Sequence, residues 1–410
     1  MIKPYSASLI MTENCNLNCS YCFEKDKSDK MMNKDIAKKS IDFLISNAIS
    51  ENKKNIDLMF FGGEPLLNID VIDFIYEYAI VETKKNNIGI SGNIITNGTI
   101  FNDKVKKTLT KFLNNTDFSI QISIDGIKDV HDKNRVDFSG KGSFDKIKKN
   151  LKKFQKMTDK IIVHGCLTPE TLKYHYKSYK YFREKLGILD VWFLTIESDD
   201  WKEEHIKIYK KNLKKIKEHA IQEAIKNRNL DSVIFETTLS KCFRQHQSEH
   251  GRSCGAGMEF VAITPSGEIY PCHQFYFEKK ARTEKIGDLE TGIIEEKKSF
   301  YESYNVKELS CLKENNQCKN FGCYKCIAEN FVRTGDIYQQ FTEFGIKCAF
   351  ATLEREISET TKKEIELLKP LFFEEKIDVA LDFEFKKNML EVSKEILEKL
   401  DSLEKKIDGK

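Results

Sequence analysis

Three cysteines near the N-terminus have the spacing to hold an iron–sulfur cluster. Cys15, Cys19 and Cys22 lie in the run CNLNCSYC. Three thiolates this close can ligate three irons of a 4Fe–4S cube and leave the fourth iron open to a small molecule. The alternatives are a zinc knuckle and a disulfide group, but no fourth Cys or His lies nearby to complete a tetrahedral zinc site. The spacing therefore favours a cluster that binds a cofactor.

The motif C-x3-C-x-aromatic-C follows a predicted strand, with Tyr21 at the aromatic position, and resembles the motif of the radical S-adenosylmethionine (radical SAM) family. The resemblance implies that the open iron chelates the amino and carboxylate groups of S-adenosylmethionine. It further implies that one electron from the cluster cleaves the sulfonium and yields a 5′-deoxyadenosyl radical, which abstracts a hydrogen atom.

Six apolar runs that alternate with helical patterns must position this motif. They predict an α/β protein with a parallel sheet and right-handed crossovers, and the resemblance implies a partial (β/α)6 barrel. The predicted strands are 6–12, 56–61, 88–96, 118–124, 161–168 and 191–196. The predicted helices are 33–50, 69–83, 103–113, 144–157 and 170–186.

Polar motifs follow these strands at the edge of the sheet where such folds bind ligands. Gly62, Gly63 and Glu64 follow the second strand, and the glycines allow close approach of the backbone to a ligand. The resemblance implies that this loop binds the amino group of S-adenosylmethionine and that the guanidinium fork of Arg135 pairs with its carboxylate. The other cofactor-binding candidates that it implies are Tyr21, Asn97, Ser123, Asp125 and Leu167.

Three of the nearby residues also have a structural interpretation. Leu167 either packs on the adenine ring, as the resemblance implies, or fills the core. Cys166 is expected to be a small buried residue, and His131 is expected at the start of a helix.

A second group of cysteines begins at Cys254. Cys254, Gly267 and Cys272 have the spacing C-x12-G-x4-C, and Pro265 with Gly267 predicts the turn of a β-hairpin. The segment resembles the start of a SPASM domain, in which seven cysteines hold two auxiliary 4Fe–4S clusters. Seven cysteines are present here, so the resemblance implies three clusters in all, with one auxiliary iron that lacks a protein thiolate. A zinc ribbon is the alternative.

The resemblance also implies how these cysteines divide between the two auxiliary clusters. Cys254, Cys272 and Cys326 would hold the first. The second would take Cys311, Cys318, Cys323 and Cys348. The spacing C-x6-C-x4-C-x2-C departs from the usual C-x2-C-x5-C-x3-C, so the division of Cys323 and Cys326 stays open.

The 410 residues divide by pattern into four parts. We expect a radical SAM partial barrel at 1–200, a helical bridge at 201–250, a SPASM domain at 251–350 and a C-terminal helical extension at 351–410. The 67 basic and 64 acidic residues give a net charge of only +3, which predicts no nucleic-acid or membrane partner. No signal peptide or membrane-spanning apolar run is visible, so a cytoplasmic protein is expected, in which twelve cysteines favour metal over disulfides.

The reaction is indicated by the residues around the hairpin. Sulfatase-maturing enzymes share this architecture but place an Asp directly after the hairpin cysteine, where this chain has His273. The runs CGAG and PCHQF resemble instead the peptide maturases of sactipeptides and ranthipeptides, which act on small Cys-rich precursors. We therefore expect Cys thioether crosslinks. The alternatives are carbon–carbon crosslinking, a Ser- or Cys-oxidising protein-activating dehydrogenase, and an electron-transfer or scaffold protein.

The resemblance also implies partners. They are a Cys-rich precursor peptide with a leader and a reductant such as flavodoxin or ferredoxin. The predicted barrel begins by residue 6, with no winged-helix recognition domain before it. We therefore expect the leader to bind another surface or a separate leader-recognition protein.

Overall fold

The computed structural model describes six stretches of the chain, and every structural statement below refers to them. They are residues 3–24, 26–227, 254–305, 308–309, 326–339 and 345–373. Cys311, Cys318 and Cys323 lie outside the described residues, as does the predicted C-terminal extension beyond residue 373.

Six strands alternate with helices in the first half, as the sequence predicts. The strands are β1 Tyr5–Thr12, β2 Asn55–Gly62, β3 Gly89–Thr96, β4 Asp117–Ser123, β5 Ile161–Leu167 and β6 Asp190–Thr195. The helices are α1 Lys34–Ser50, α2 Ile69–Lys85, α3 Asp103–Asn115, α4 Lys128–Asn134, α5 Phe144–Phe154 and α6 His175–Leu186. Each strand pairs in parallel with the next one in the chain, so the predicted α/β class and parallel sheet are confirmed.

Alternation along the strands separates the core from the concave face of the sheet. In β2, β5 and β6 every second residue is buried, and the residues between them are half-buried. A strand points successive side chains to opposite faces, so one set packs under the helices and the other lines the inside of the barrel. The outer set includes Phe60, whose ring centroid lies 5.3 Å from that of Phe112 on α3.

The second half adds shorter elements. They are α7 Glu203–Lys226, β7 Phe260–Ile263, β8 Glu268–Tyr270, α8 His273–Phe277, β9 Gly287–Asp288, β10 Gly292–Ile293, α9 Glu295–Glu302, α10 Ile327–Thr334 and α11 Ile346–Phe373. The predicted hairpin is the antiparallel pair β7 and β8, with Gly267 at a φ of 90° in its turn.

The hairpin extends the barrel sheet instead of forming a separate one. β7 pairs in parallel with β1, and the sheet order is β10-β9-β8-β7-β1-β2-β3-β4-β5-β6. The sheet therefore runs across the predicted domain boundary at residue 250. Because β8 runs antiparallel to β7, Cys272 follows it on the side where β1 begins, and the next residue, His273, reaches the cavity described below.

Helix α4 is not predicted by the sequence, and it corrects the expectation for His131. This residue lies in the last turn of the helix and is fully buried. Its Nδ1 accepts a hydrogen bond from the Asp125 amide at 3.3 Å, and its Nε2 lies 2.9 Å from Ser143 Oγ. Burial lowers the pKa of the ring to about 4, so His131 is a neutral structural residue.

None of the described helices is both long enough and apolar enough to cross a membrane.

Candidate active site

A cavity of about 1910 Å³ opens at the C-terminal ends of the barrel strands. Its walls come from the first cysteine loop, strands β2 to β6 and helices α8 and α10. Of the residues predicted from the sequence, those that line it are Cys15, Cys19, Tyr21, Cys22, Gly62, Gly63, Asn97, Ser123 and Arg135. The structure thus brings together residues that are up to 120 positions apart in the chain.

The first three cysteines converge on this cavity with features that suit cluster thiolates. The Cys15 sulfur accepts hydrogen bonds from the Leu17 amide at 3.5 Å and from the Asn97 side chain at 3.8 Å. Burial, with the nearby Glu64 carboxylate, raises the pKa of Cys15 to about 12, and burial raises that of Cys22 to about 11. Bound iron would hold both as thiolates, and N–H donors to sulfur tune such clusters. The donor set therefore fits a 4Fe–4S cluster.

The described residues offer no ready-made site for a single metal ion. Among them, no three His, Cys, Asp or Glu side chains are close enough to hold one. A 4Fe–4S cluster places a different demand on its donors, because each thiolate binds a different iron.

The Gly-Gly loop packs against the first cysteine loop. The Gly63 and Glu64 amides donate to the carbonyls of Thr12 and Asn14, each at 2.9 Å. A Cβ on Gly62 would lie 2.3 Å from Thr12 O, and one on Gly63 would lie 2.1 Å from Asn14 O. The glycines are therefore required for contact between the two loops, a reason that the sequence analysis did not foresee.

Glu64 ties the same loop to the end of β3. Its fully buried carboxylate accepts hydrogen bonds from Thr96 Oγ1 and the Asn97 amide, both at 2.7 Å, and from the Leu66 amide at 3.1 Å. Burial raises its pKa to about 7 despite these donors. Glu64 lies behind the cavity wall, so its role is to position the loop and Asn97.

Asp125 fixes the two predicted cofactor residues Tyr21 and Arg135. Its carboxylate accepts from Tyr21 Oη at 2.5 Å, Arg135 Nε at 2.9 Å and the Cys166 amide at 3.1 Å. Burial alone would raise its pKa, but the charge of Arg135 holds it below the ordinary value. The Arg135 guanidinium also lies 5.4 Å from the centre of the Tyr21 ring. Asp125 is thus buried behind the cavity, and its partner Arg135 lines the cavity.

Strand β5 places Leu167 in the core, one of its two expected roles, and Cys166 at the cavity, where a small buried residue was expected. Leu167 is only 1% exposed and lies in the core, whereas Cys166 and His164 line the cavity. Alternation along the strand requires this, since neighbouring residues point to opposite faces. Of the two roles considered for Leu167, the structure supports the core role.

Three of the described cysteines of the second group, Cys254, Cys272 and Cys326, lie near one another. Burial raises the pKa of Cys272 to about 12, and that of Cys326 is raised by burial and then by the charges of Cys272 and Cys254. A first auxiliary cluster on these three cysteines stays a prediction. The Cys326 sulfur lies 3.4 Å from Oε1 of Gln274, a residue of the cavity wall. Cys348 lies in the first turn of α11.

Two groups of wall residues were missed by the sequence analysis. One is an aromatic wall formed by Phe23, Phe61, His273 and Phe277. The other is a charged wall formed by Glu197, Glu329 and Arg333. The spacing of Glu329 and Arg333, four residues apart on α10, indicates an ion pair in the sequence. That this pair faces the cavity depends on how α10 docks, which no local pattern reveals.

Hydrogen bonds join the charged wall to its surroundings. Glu329 accepts from Arg333 Nε at 3.1 Å and from Gln274 Nε2 at 2.7 Å. Glu197 accepts from Lys347 Nζ at 3.1 Å, and this ammonium also donates to the Thr195 carbonyl at 2.8 Å. These bonds join α10 to α8, and α11 to the end of β6.

Comparisons with known proteins agree with this geometry. Residues 9–182 match the family model of the Radical SAM superfamily. A cysteine-type anaerobic sulfatase-maturating enzyme of Clostridium novyi (strain NT) is 30% identical over 348 residues, which cover 79% of this chain and 85% of the relative.

Solved structures share the fold at lower identity. Native anSMEcpe with bound AdoMet and Cp18Cys peptide has a TM-score of 0.65 at 21% identity, covering 89% of this chain and 99% of that chain. Streptococcus suis SuiB bound to precursor peptide SuiA has a TM-score of 0.53 at 15% identity, covering 82% of this chain and 74% of that chain. The chain belongs to the radical SAM superfamily, and over most of its length it is related to the anaerobic sulfatase-maturating enzymes.

Proposed function

We propose that this chain is a peptide-modifying radical SAM enzyme that forms Cys thioether crosslinks in a Cys-rich precursor. The observation that carries the proposal is that two cysteines of the second group lie beside the cavity that Cys15 and its partners line. The Cys326 sulfur is 3.4 Å from Gln274 Oε1, Cys272 precedes His273 in the chain, and both Gln274 and His273 line the cavity. Peptides bound to anSMEcpe and to SuiB, which share this fold, support a peptide substrate.

Each part of the cavity has a proposed role that follows from the residues that line it. Cys15, Cys19 and Cys22 would hold the cluster that, when reduced, cleaves S-adenosylmethionine and supplies hydrogen-atom abstraction. The Gly-Gly loop and Arg135 would bind the amino and carboxylate groups of the cofactor. The aromatic wall would exclude water from the reacting carbon, because its rings offer few polar groups to solvent.

Thioether formation has a defined balance of atoms and electrons. A carbon–hydrogen bond of the substrate breaks and its hydrogen atom is removed, the cysteine thiol loses its proton, and a carbon–sulfur bond forms. One electron is released when this bond forms. An oxidised 4Fe–4S cluster on Cys254, Cys272 and Cys326 would supply the one-electron acceptor that the balance requires.

A second candidate is oxidation of a Cys or Ser in a protein, as in sulfatase maturation. It is favoured by the 30% identity to a cysteine-type sulfatase-maturating enzyme. That reaction needs a proton acceptor, and sulfatase-maturing enzymes place an Asp at the position where this chain has His273. Burial lowers the pKa of His273 to about 4, so its ring is neutral near pH 7.

The mass of the product separates the two candidates. Reduced enzyme would be incubated without oxygen with S-adenosylmethionine and a Cys-rich peptide encoded beside its gene. A thioether removes two hydrogens and keeps the sulfur, whereas oxidation of Cys to an aldehyde removes the sulfur. A product that keeps all its sulfur but has lost two hydrogens and one free thiol supports the crosslink. Loss of sulfur would establish the second candidate.

Cys272→Ala tests the role of the second cysteine group. We expect this variant to keep cleavage of S-adenosylmethionine but to lose crosslinking, because only the auxiliary site is damaged. Ser266→Ala, in the turn of the same hairpin, is the matched control and should retain both activities. Crosslinking by Cys272→Ala at the wild-type rate would contradict the proposed role.

A further inference from the structure

One face of the cavity is apolar and lies between the two cysteine groups. The aromatic wall takes Phe23 from the position after Cys22, and His273 from the position after Cys272. Phe61 is the next-to-last residue of β2, directly before Gly62, and Phe277 lies one helical turn after His273 on α8. The wall is therefore assembled from separate segments that meet only at the site of reaction.

We propose that the aromatic wall is a specificity subsite that takes an apolar side chain of the peptide, next in sequence to its reacting cysteine. The inference rests on the proposed peptide-modifying function and names a class of substrate for it. A residue next to the reacting cysteine is the natural occupant, because the wall takes Phe23 and His273 from the positions directly after Cys22 and Cys272.

The rings form one continuous surface. The centroid of Phe61 lies 4.4 Å from that of His273 and 6.3 Å from that of Phe277. Phe23 stacks on Phe61 at 6.4 Å with an interplanar angle of 12°, and meets Phe277 edge-on at 5.8 Å. Contacts of this kind hold each ring in place, so the surface is formed before a peptide binds.

Part of this surface is open. Phe23 remains 37% exposed although it contacts three other rings, and Phe61 and His273 are half-buried. An apolar side chain placed against these rings would remove water from both surfaces. Binding of a Phe, Leu or Ile side chain at this wall is therefore favourable in free energy, whereas binding of a Ser or Asp side chain gains nothing there.

The charged wall gives the peptide an orientation. Glu197, Glu329 and Arg333 line another part of the cavity and are engaged in ion pairs with their neighbours. An apolar side chain on that side would cover charged groups and lose their hydration. A peptide with one apolar and one polar side is therefore expected to bind in a single direction.

Binding of synthetic peptides tests this inference separately from the reaction. The probes are short peptides X-Cys-X in a Gly-Ser background, with X as Phe, Leu, Ser or Asp. Their dissociation constants would be measured by calorimetry on reconstituted enzyme with S-adenosylmethionine and without reductant. We expect Phe and Leu to bind about tenfold more tightly than Ser, the ratio expected from burial of one or two methylene groups.

Variants of the wall and a matched control complete the test. Phe61→Gln and Phe23→Ala should reduce the preference for Phe over Ser to less than about threefold. Phe61→Leu, which keeps the surface apolar, should retain it, and so should Phe300→Ala on the outer helix α9. The melting temperature and the bound iron of each variant would verify that it folds.

The outcomes separate this inference from the proposed function. Equal affinity for all four peptides, no binding of any peptide, or an undiminished preference in both wall variants would overturn the subsite. If the preference is present but no thioether is found, the subsite stands and the proposed reaction fails. If thioethers form without any preference, the reaction stands and the subsite fails.

Discussion

At the scale of single residues, the cavity depends on buried groups that never face it. Asp125 is fully buried and receives hydrogen bonds from Tyr21, Arg135 and the Cys166 amide. It fixes the guanidinium that the proposed cofactor carboxylate would meet. Resemblance to the family pointed to Asp125 as a cofactor contact, and the structure shows it as the support for Tyr21 and Arg135, two residues that line the cavity.

Asp125→Asn should reduce the free energy of unfolding by roughly 3 kcal/mol, because Arg135 would remain buried without a countercharge. The matched control is Asp117→Asn, which breaks an ion pair to Lys160 whose side chains are 84% and 52% exposed. Exposed pairs contribute less than about 1 kcal/mol. Thermal unfolding of the reconstituted enzymes measures both changes, and equal losses would contradict a supporting role for Asp125.

His131 should make the fold sensitive to acid. Burial lowers its pKa from 6.5 to about 4, so the unfolded chain binds this proton more readily than the folded one. The contribution of His131 to stability is therefore fully present above about pH 6.5. As the pH falls towards 4 this contribution is lost, and the free energy of unfolding decreases by roughly 3 kcal/mol. Unfolding curves at several pH values should show a smaller loss for His131→Gln. Parallel pH dependence in the two proteins would exclude this contribution.

At the scale of elements, loops are held together where strands end. The Gly-Gly loop after β2 contacts the first cysteine loop through backbone hydrogen bonds, and Glu64 joins it to the end of β3. Three consecutive strand ends are thereby linked around the cysteines, so the geometry of the cluster site depends on a close approach of backbones.

Gly63→Ala should separate these two loops, because the added Cβ would lie 2.1 Å from the Asn14 carbonyl. We expect bound iron to fall by about one third, as one of three clusters is lost. Gly140→Ala is the control, since no atom lies within 4 Å of its Cβ position although its φ is 80°. It should lose only about 1 kcal/mol of stability and keep its iron. A full iron content in Gly63→Ala would show that the loops can adjust.

Some elements of the fold could be predicted from the sequence, and others could not. Strand alternation and helical periodicity predicted β1 to β6, because burial imposes those periods directly. The same alternation, applied to β5, would have assigned Cys166 to the cavity and Leu167 to the core. Pairing of β7 with β1 and docking of α10 beside Glu197 depend on contacts between distant segments, which no local pattern contains.

At the scale of the whole molecule, one sheet joins the first cysteine loop to the hairpin that precedes Cys272. The hairpin β7–β8 continues the barrel sheet beyond β1, and Cys272 follows it after Pro271. His273, next to Cys272, lines the same cavity as Cys22, although more than 230 residues separate Cys22 from Cys254. This arrangement would allow one bound peptide to reach both groups.

Anaerobically reconstituted enzyme should contain about twelve irons per chain, four for each of three clusters. Ten cysteines in two groups motivate this number. Elemental analysis for iron and zinc measures it, with the Cys254→Ala and Cys272→Ala double variant expected to lose about a third of the iron. Four irons in the wild type, or one zinc per chain, would rule out auxiliary clusters.

The central claim is that Cys15, Cys19 and Cys22 hold the cluster that cleaves S-adenosylmethionine. The most direct measurement is formation of 5′-deoxyadenosine by reduced enzyme without oxygen, in two triple variants. Changing these three residues to Ala should abolish the product. Changing Cys254, Cys272 and Cys326 to Ala should leave most of it. Product formation that persists in the first variant, or that vanishes equally in both, would contradict the account.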